Sequence, residues 1–282
     1  MSFPADALTS CIGAAVTGLD LKRDSSPATA AHLLRLMDEH GVVVVRGQAL
    51  APPQFAAFAH RLGTLALHSL RSHTCPSNPE LLIHANLIEN GVPLGHADSS
   101  RWCVDGAHLA RPWRATLACA TEIPQRDGVP LGDTCFLSTR AAYAALAPPL
   151  SASLDGLRAS QLNAVARRLR AIPYYADAGL TQIFKRGMEH PVVRTHPAGK
   201  YKCLYVNPAT TSHICGMHEG DSEALLQTLY QHMARDEFIY RHHWQVGDVV
   251  LWDNCSVQYR TRADYELPLR RLIYRAYLKY PE

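Results

Sequence analysis

No apolar run in this 282-residue chain approaches the roughly 20 residues of a membrane span, and the opening MSFPADALTSCIGAAV lacks the basic-then-apolar order of a secretory leader. Charge of a single sign is missing as well. The 28 Lys and Arg stand against 25 Asp and Glu, and the cations, mostly Arg, are scattered rather than gathered into the stripe that a nucleic acid would require. Eight cysteines include no Cys-x-x-Cys pair and are too sparse for a secreted disulfide scaffold, so they read as reduced thiols. No low-complexity linker divides the chain. These absences lead us to expect one domain over residues 1–282 in a soluble, cytoplasmic protein without nucleic-acid or membrane partners; a homo-oligomer is compatible with them.

What is present is a helix, a strand and a helix, followed by many short strands. ATAAHLLRLMDEH (28–40) places Leu33, Leu34, Leu36 and Met37 at helical spacing with Gly41 as a stop, VVVV (42–45) reads as a buried strand, and Phe55, Phe58 and Leu62 mark a helix over 52–62. Residues 67–101 are rich in His, Ser, Asn and Pro and read as hairpins and a long loop. Further on, the patterns predict strands at 116–121 and 135–137 and helices at 138–146 and 149–157, while 167–184 stays ambiguous. From His190 the segments PVVRTH, KCLYVN, EFIYRHHW, DVVLWDN and RRLIYRAYL read as strands, interrupted by a helix over 222–234. The fold class expected is mainly β with peripheral helices, built round a jelly-roll barrel.

Eight segments in order give the chain a family likeness: IGAAVTGLDL, HGVVVVRGQAL, ENGVPLG, GDT, HPVVRTHP, YVNP, RHHWQVGDVVLWDN and RRLIYR. Together they resemble the TauD/TfdA family of Fe(II)- and 2-oxoglutarate-dependent dioxygenases, almost end to end. The resemblance implies a double-stranded β-helix, a cupin-like jelly roll, with the active site in the barrel mouth. It also implies a facial triad of two His and one carboxylate, which leaves coordination positions open for 2-oxoglutarate and O2.

In this chain the triad is altered. Aligned on the flanking residues, the first His falls on Cys103, the carboxylate on Asp105 and the last His on Tyr259. A rival register through His96-Ala97-Asp98 would strand Trp102, which fits the family's Trp before the triad, whereas Asp98 fits an upstream Asp. The carboxylate cradle is better kept: Arg271 and Arg275 match the family's C-terminal arginines, one of which grips the far carboxylate of 2-oxoglutarate, and Thr134 matches the threonine that helps it. A planar guanidinium suits that task because it forks onto a carboxylate with two charge-assisted hydrogen bonds.

A phenol with an ordinary pKa near ~10 is a poor ligand for Fe(II) at neutral pH, and a thiolate beside activated oxygen invites its own oxidation. Three readings follow. The first is an enzyme acting on a small carboxylate-containing metabolite, in a specialised biosynthetic pathway, without the usual iron centre; Arg271 or Arg275 anchors the substrate, and Cys103, Asp105, His108 and Tyr259 supply nucleophile or acid and base. The second is a 2-oxoglutarate-dependent oxygenase with remodelled ligands, recruiting His108 or the loop histidines His68, His73 and His84. The third is a non-catalytic carboxylate-binding protein. His190, His196, Trp102 and Trp252 read as structural, and Asp248 reads as a turn residue.

Overall fold

Alternation along the central strands sets the layers. The computed structural model describes residues 3–24, 26–68, 73–89, 92–94, 100–162 and 187–281. Successive side chains on a strand point to opposite faces. In Val42–Val45, Val43 and Val45 accordingly enter one core while Val42 and Val44 enter another. Val249–Asp253 divides in the same way, with Val249 and Leu251 on one side and Val250 and Trp252 on the other. Two cores on one sheet require a layer on each face.

That sheet has eight strands in the order Ala5–Ala7, Ala14–Val16, Val42–Val45, Val249–Asp253, Ala115–Glu122, Leu272–Leu278, Asn78–Ala85, Thr74–Cys75. Its outer face is covered by helices Pro27–His40 and Pro52–Leu62, which bury Leu33, Met37, Phe55 and Phe58. Ser26 caps the first helix by accepting from the Thr29 amide, and Gly41, at φ 75°, ends it with its N–H on the Met37 carbonyl. Facing the inner side is a three-stranded sheet in the order Ile239–His242, Thr134–Ser138, Val257–Thr261. Phe136, Tyr240, Val257 and Tyr259 from this sheet meet Val42, Val44, Ala118, Val250, Trp252 and Ile273 from the other. The outward residues Cys135 and Leu137 pack instead with Leu226, Leu229 and Met233 of helix Glu219–Met233. Helix, sheet, sheet, helix is thus the layering, mainly β with peripheral helices.

Several sequence expectations change in detail. Residues 78–85, expected within a loop-rich stretch, form an eight-residue strand in the large sheet; the run Leu81-Leu82-Ile83 supplies its buried side chains, and the polar residues about it hid the pattern. The helix expected at 149–157 is Pro148–Ser153, and Arg158–Gln161 and Thr211–Ile214 pair as strands despite their polar sequences. None of the eight cysteines is bridged. Residues 167–184 and the His96-Ala97-Asp98 register lie outside the described residues.

Candidate active site

Cys103 and Tyr259, the two residues expected at the histidine positions, are neighbours in the structure. Cys103 and Tyr259 form an antiparallel bridge in which each amide donates to the other's carbonyl at 3.0 Å. Directly opposed residues of antiparallel strands project to the same face, and both side chains enter the core between the sheets. The Cys103 thiol turns back to donate to the Tyr259 carbonyl at 3.4 Å. Tyr259 reaches further in.

Its hydroxyl donates to Asp105 Oδ1 at 2.9 Å and accepts from Arg275 Nη1 at 2.8 Å. The other carboxylate oxygen, Asp105 Oδ2, accepts from Thr116 Oγ1 at 2.8 Å, and Asn254 Nδ2 donates to that threonine oxygen at 3.1 Å. Burial pushes the Tyr259 phenol well above its ordinary pKa, the Asp105 carboxylate adds to this, and the Arg275 charge only partly opposes it. Tyr259 is therefore a neutral hydroxyl. Thr116 and Asn254 were not singled out from the sequence; Asn254 lay in view in WDN, while Thr116 read only as one residue of a strand.

The two arginines expected to share a carboxylate have different surroundings. Ile273 and Arg275 lie on one face of the last strand, Leu272–Leu278, by its two-residue period, Arg271 directly precedes that strand, and both arginines are buried. Arg275 lies 4.8 Å from the Tyr259 ring centre and 5.4 Å from that of Trp252, within the cluster just described. Arg271 instead donates from Nε to the Tyr265 hydroxyl at 3.1 Å and stands 5.8 Å from the Trp244 ring. Trp244 Nε1 donates in turn to Thr134 Oγ1 at 2.9 Å, so Arg271 and Thr134 are linked through one indole. Asn86 fixes the Arg271 backbone by accepting its amide N–H at 2.9 Å. Gly132 is needed here because a Cβ would come within 2.8 Å of the Tyr265 ring.

His108 follows Asp105 beyond a turn at Gly106, whose φ is 73°. Burial lowers its pKa, which leaves it neutral. His190 holds this turn from outside, its Nε2 lying 2.9 Å from the Leu109 carbonyl oxygen. His196 accepts from the Gly199 amide at Nδ1 and lies 3.3 Å from Asp253 through Nε2, so both histidines of HPVVRTHP brace the frame. His68 packs near the rings of Trp113 and Tyr277, His84 stands in register with Ile273, and His73 precedes the strand Thr74–Cys75. Trp252 is fully buried between Phe136 and Tyr259, and Trp102 carries the Arg260 guanidinium over its ring.

Comparison with known proteins gives this geometry its setting. The model of the taurine catabolism dioxygenase TauD, TfdA family matches residues 5–277. The chain belongs to the TauD/TfdA family. Among its relatives, the alpha-ketoglutarate-dependent 2,4-dichlorophenoxyacetate dioxygenase of Cupriavidus pinatubonensis (strain JMP 134 / LMG 1197) is 32% identical, with 98% of this chain and 97% of the relative covered. Pentalenolactone F synthase of Streptomyces arenae is 26% identical over 89% of this chain and 87% of its own. Of solved structures, a taurine dioxygenase from Burkholderia xenovorans superposes with a TM-score of 0.80 at 28% identity, covering 100% of this chain and 90% of that one. AAD-2 in complex with Mn(II) and N-oxalylglycine superposes at 0.81 and 26% identity, covering 100% and 99%. The TauD/TfdA jelly roll is the fold, and the family is one of enzymes.

Set against the TauD/TfdA metal chemistry, the described residues do not fit Fe(II). A cation ligated by Asp105 and by the side chain at 259 would have to displace the hydroxyl that already stands in hydrogen-bond contact with that carboxylate. The neutral phenol is a poor donor to Fe(II), and the Cys103 sulfur is directed at a backbone carbonyl. Among the described residues, no group of three or more His, Cys, Asp or Glu is arranged to hold a metal ion.

Proposed function

We propose that this TauD/TfdA member is an enzyme that holds a small carboxylate-bearing metabolite at Arg271 beside Thr134 and acts on it by proton transfer at Asp105 and Tyr259, without a His-Asp-His iron centre. The observation that carries the reading is the Tyr259 hydroxyl held between Asp105 and Arg275. Such a pair can accept a proton at the carboxylate and return one from the phenol, which is acid–base work on a bound carbon acid or its conjugate. Cys103 flanks the pair, and His108, neutral beyond the Gly106 turn, is a second proton carrier. Arg275 keeps the phenol oriented. A synthase among the relatives supports a place in biosynthesis, and among the described residues no helix is long and apolar enough to cross a membrane.

The relatives named as alpha-ketoglutarate-dependent dioxygenases favour a second reading, an oxygenase with remodelled ligands. One experiment separates the two. Metal analysis of the purified protein, followed by incubation with 2-oxoglutarate under air, is expected to find iron far below one per chain and no succinate. Stoichiometric iron with succinate release would establish the second reading and end the first.

A further inference from the structure

We infer that Asp105 is the proton acceptor of this site and that Thr116, oriented by Asn254, is its positioning residue. The inference rests on the proposed acid–base reading for what Asp105 does; the placement of Thr116 rests on the hydrogen bonds alone. Arginine has only donors, so the Tyr259 hydroxyl must accept from Arg275, and its single proton is left to point at Asp105. At the other oxygen, Thr116 Oγ1 lies 2.8 Å from Asp105 Oδ2 but 3.3 Å from Asn254 Oδ1. One hydroxyl carries one proton. The shorter, charge-assisted contact takes it, and the Asn254 amide nitrogen at 3.1 Å fills the acceptor side of the same hydroxyl.

Every hydrogen bond in the chain from Asn254 to Arg275 therefore runs toward the carboxylate. Tyr259 cannot be the first base, because its oxygen accepts from a cation and its proton is already directed at Asp105. Thr116 and Asn254 are 0% and 1% exposed, which shields this arrangement from competing water. Thr116 lies on strand Ala115–Glu122 opposite Trp252, and Asn254 opens the turn directly after the neighbouring strand Val249–Asp253. The sheet register thereby fixes the direction of the carboxylate.

The test reads the carboxylate itself, in the full-length protein labelled with 13C-aspartate at neutral pH. The Asp105 Cγ signal is assigned as the one lost in Asp105→Asn, and the buried Asp248 serves as an internal reference for the fold. Thr116→Val is expected to shift the Asp105 signal and leave Asp248 in place, while Thr116→Ser, which keeps the hydroxyl, returns Asp105 to its wild-type position. Asn254→Ala, which retains Thr116 but frees its hydroxyl, should give a smaller shift of the same sign and stands in if the valine variant does not fold. An Asp105 signal unmoved by both Thr116→Val and Asn254→Ala, or moved as far by serine as by valine, overturns the positioning role. Because no turnover enters this measurement, its failure is distinct from the iron and succinate result.

Discussion

At the scale of single residues, Cys103 and Tyr259 differ in weight. Tyr259 is tied to two charged groups, whereas the Cys103 thiol donates to a carbonyl at 3.4 Å. Deleting a buried hydroxyl leaves both partners short of a hydrogen bond, at a cost of about 1–3 kcal/mol. Tyr259→Phe should therefore lower the stability by that amount, read as a lower urea midpoint at unchanged slope, and Cys103→Ala should cost less, roughly 1 kcal/mol. The reverse order would mean that Cys103, not Tyr259, holds the site. Arg271 offers a separate test. Arg271→Lys keeps the charge but loses the fork, so binding of 2-oxoglutarate as a carboxylate probe, followed by calorimetry, should weaken about tenfold or more. Equal affinity in the lysine variant would remove Arg271 from the cradle.

At the scale of elements, the turn before strand Val249–Asp253 holds more than its sequence suggested. Asp248 reads as a turn residue in VGD, and its Oδ2 does accept from the Gln245 amide at 2.9 Å. The same oxygen also meets Arg46 at 2.8 Å and His242 at 3.0 Å, and His242 reaches the Tyr240 hydroxyl at 2.9 Å on its other nitrogen. Sequence showed the turn because turn chemistry is local; the distant partners come from two other segments, Arg46 just after strand Val42–Val45 and Tyr240 with His242 on strand Ile239–His242. The same reason explains why the helices and the VVVV strand were legible while the opposition of 103 to 259, the split roles of Arg271 and Arg275, the strand Asn78–Ala85 and the Thr116–Asn254 support were not. Burial lowers the pKa of His242, and likewise of His190 and His108. Unfolded, these histidines take up protons near pH ~6.5; folded, only at lower pH. Stability is thus full above the unfolded value and declines as pH falls toward the folded ones, by up to about 1.4 kcal/mol per pH unit for each group. Urea midpoints should fall from about pH 7.5 to about pH 5, and His190→Gln should flatten part of that slope. A midpoint constant over the range would count against neutral buried histidines.

At the scale of the whole molecule, the TauD/TfdA frame is shown and the proposed site chemistry can be tested against it. The family match runs through residues 5–277, and the jelly roll superposes on a metal-bound relative over the full chain, so the backbone that would carry a triad is in place. On the proposed reading, what differs is the side chains that frame presents at 103 and 259. Because Cys103 and Tyr259 are directly opposed and share the inner face, histidines at both positions would stand on either side of Asp105 without moving a strand. Cys103→His with Tyr259→His would also remove the phenol that now contacts Asp105, leaving Thr116 to hold that carboxylate as a ligand's outer support. The double variant is expected to bind Fe(II) or Co(II) in anaerobic titration, with wild type binding neither at the same concentrations. Thr116→Val added to it should weaken the metal by about 10- to 100-fold, the usual cost of losing a ligand's hydrogen-bonded support. If the double variant binds no metal while remaining folded, the triad positions are misassigned and the His96-Ala97-Asp98 register is the one to rebuild; if it binds metal and also releases succinate from 2-oxoglutarate, the cradle at Arg271 has kept its geometry and only the side chains at 103 and 259 separate this chain from its relatives' chemistry.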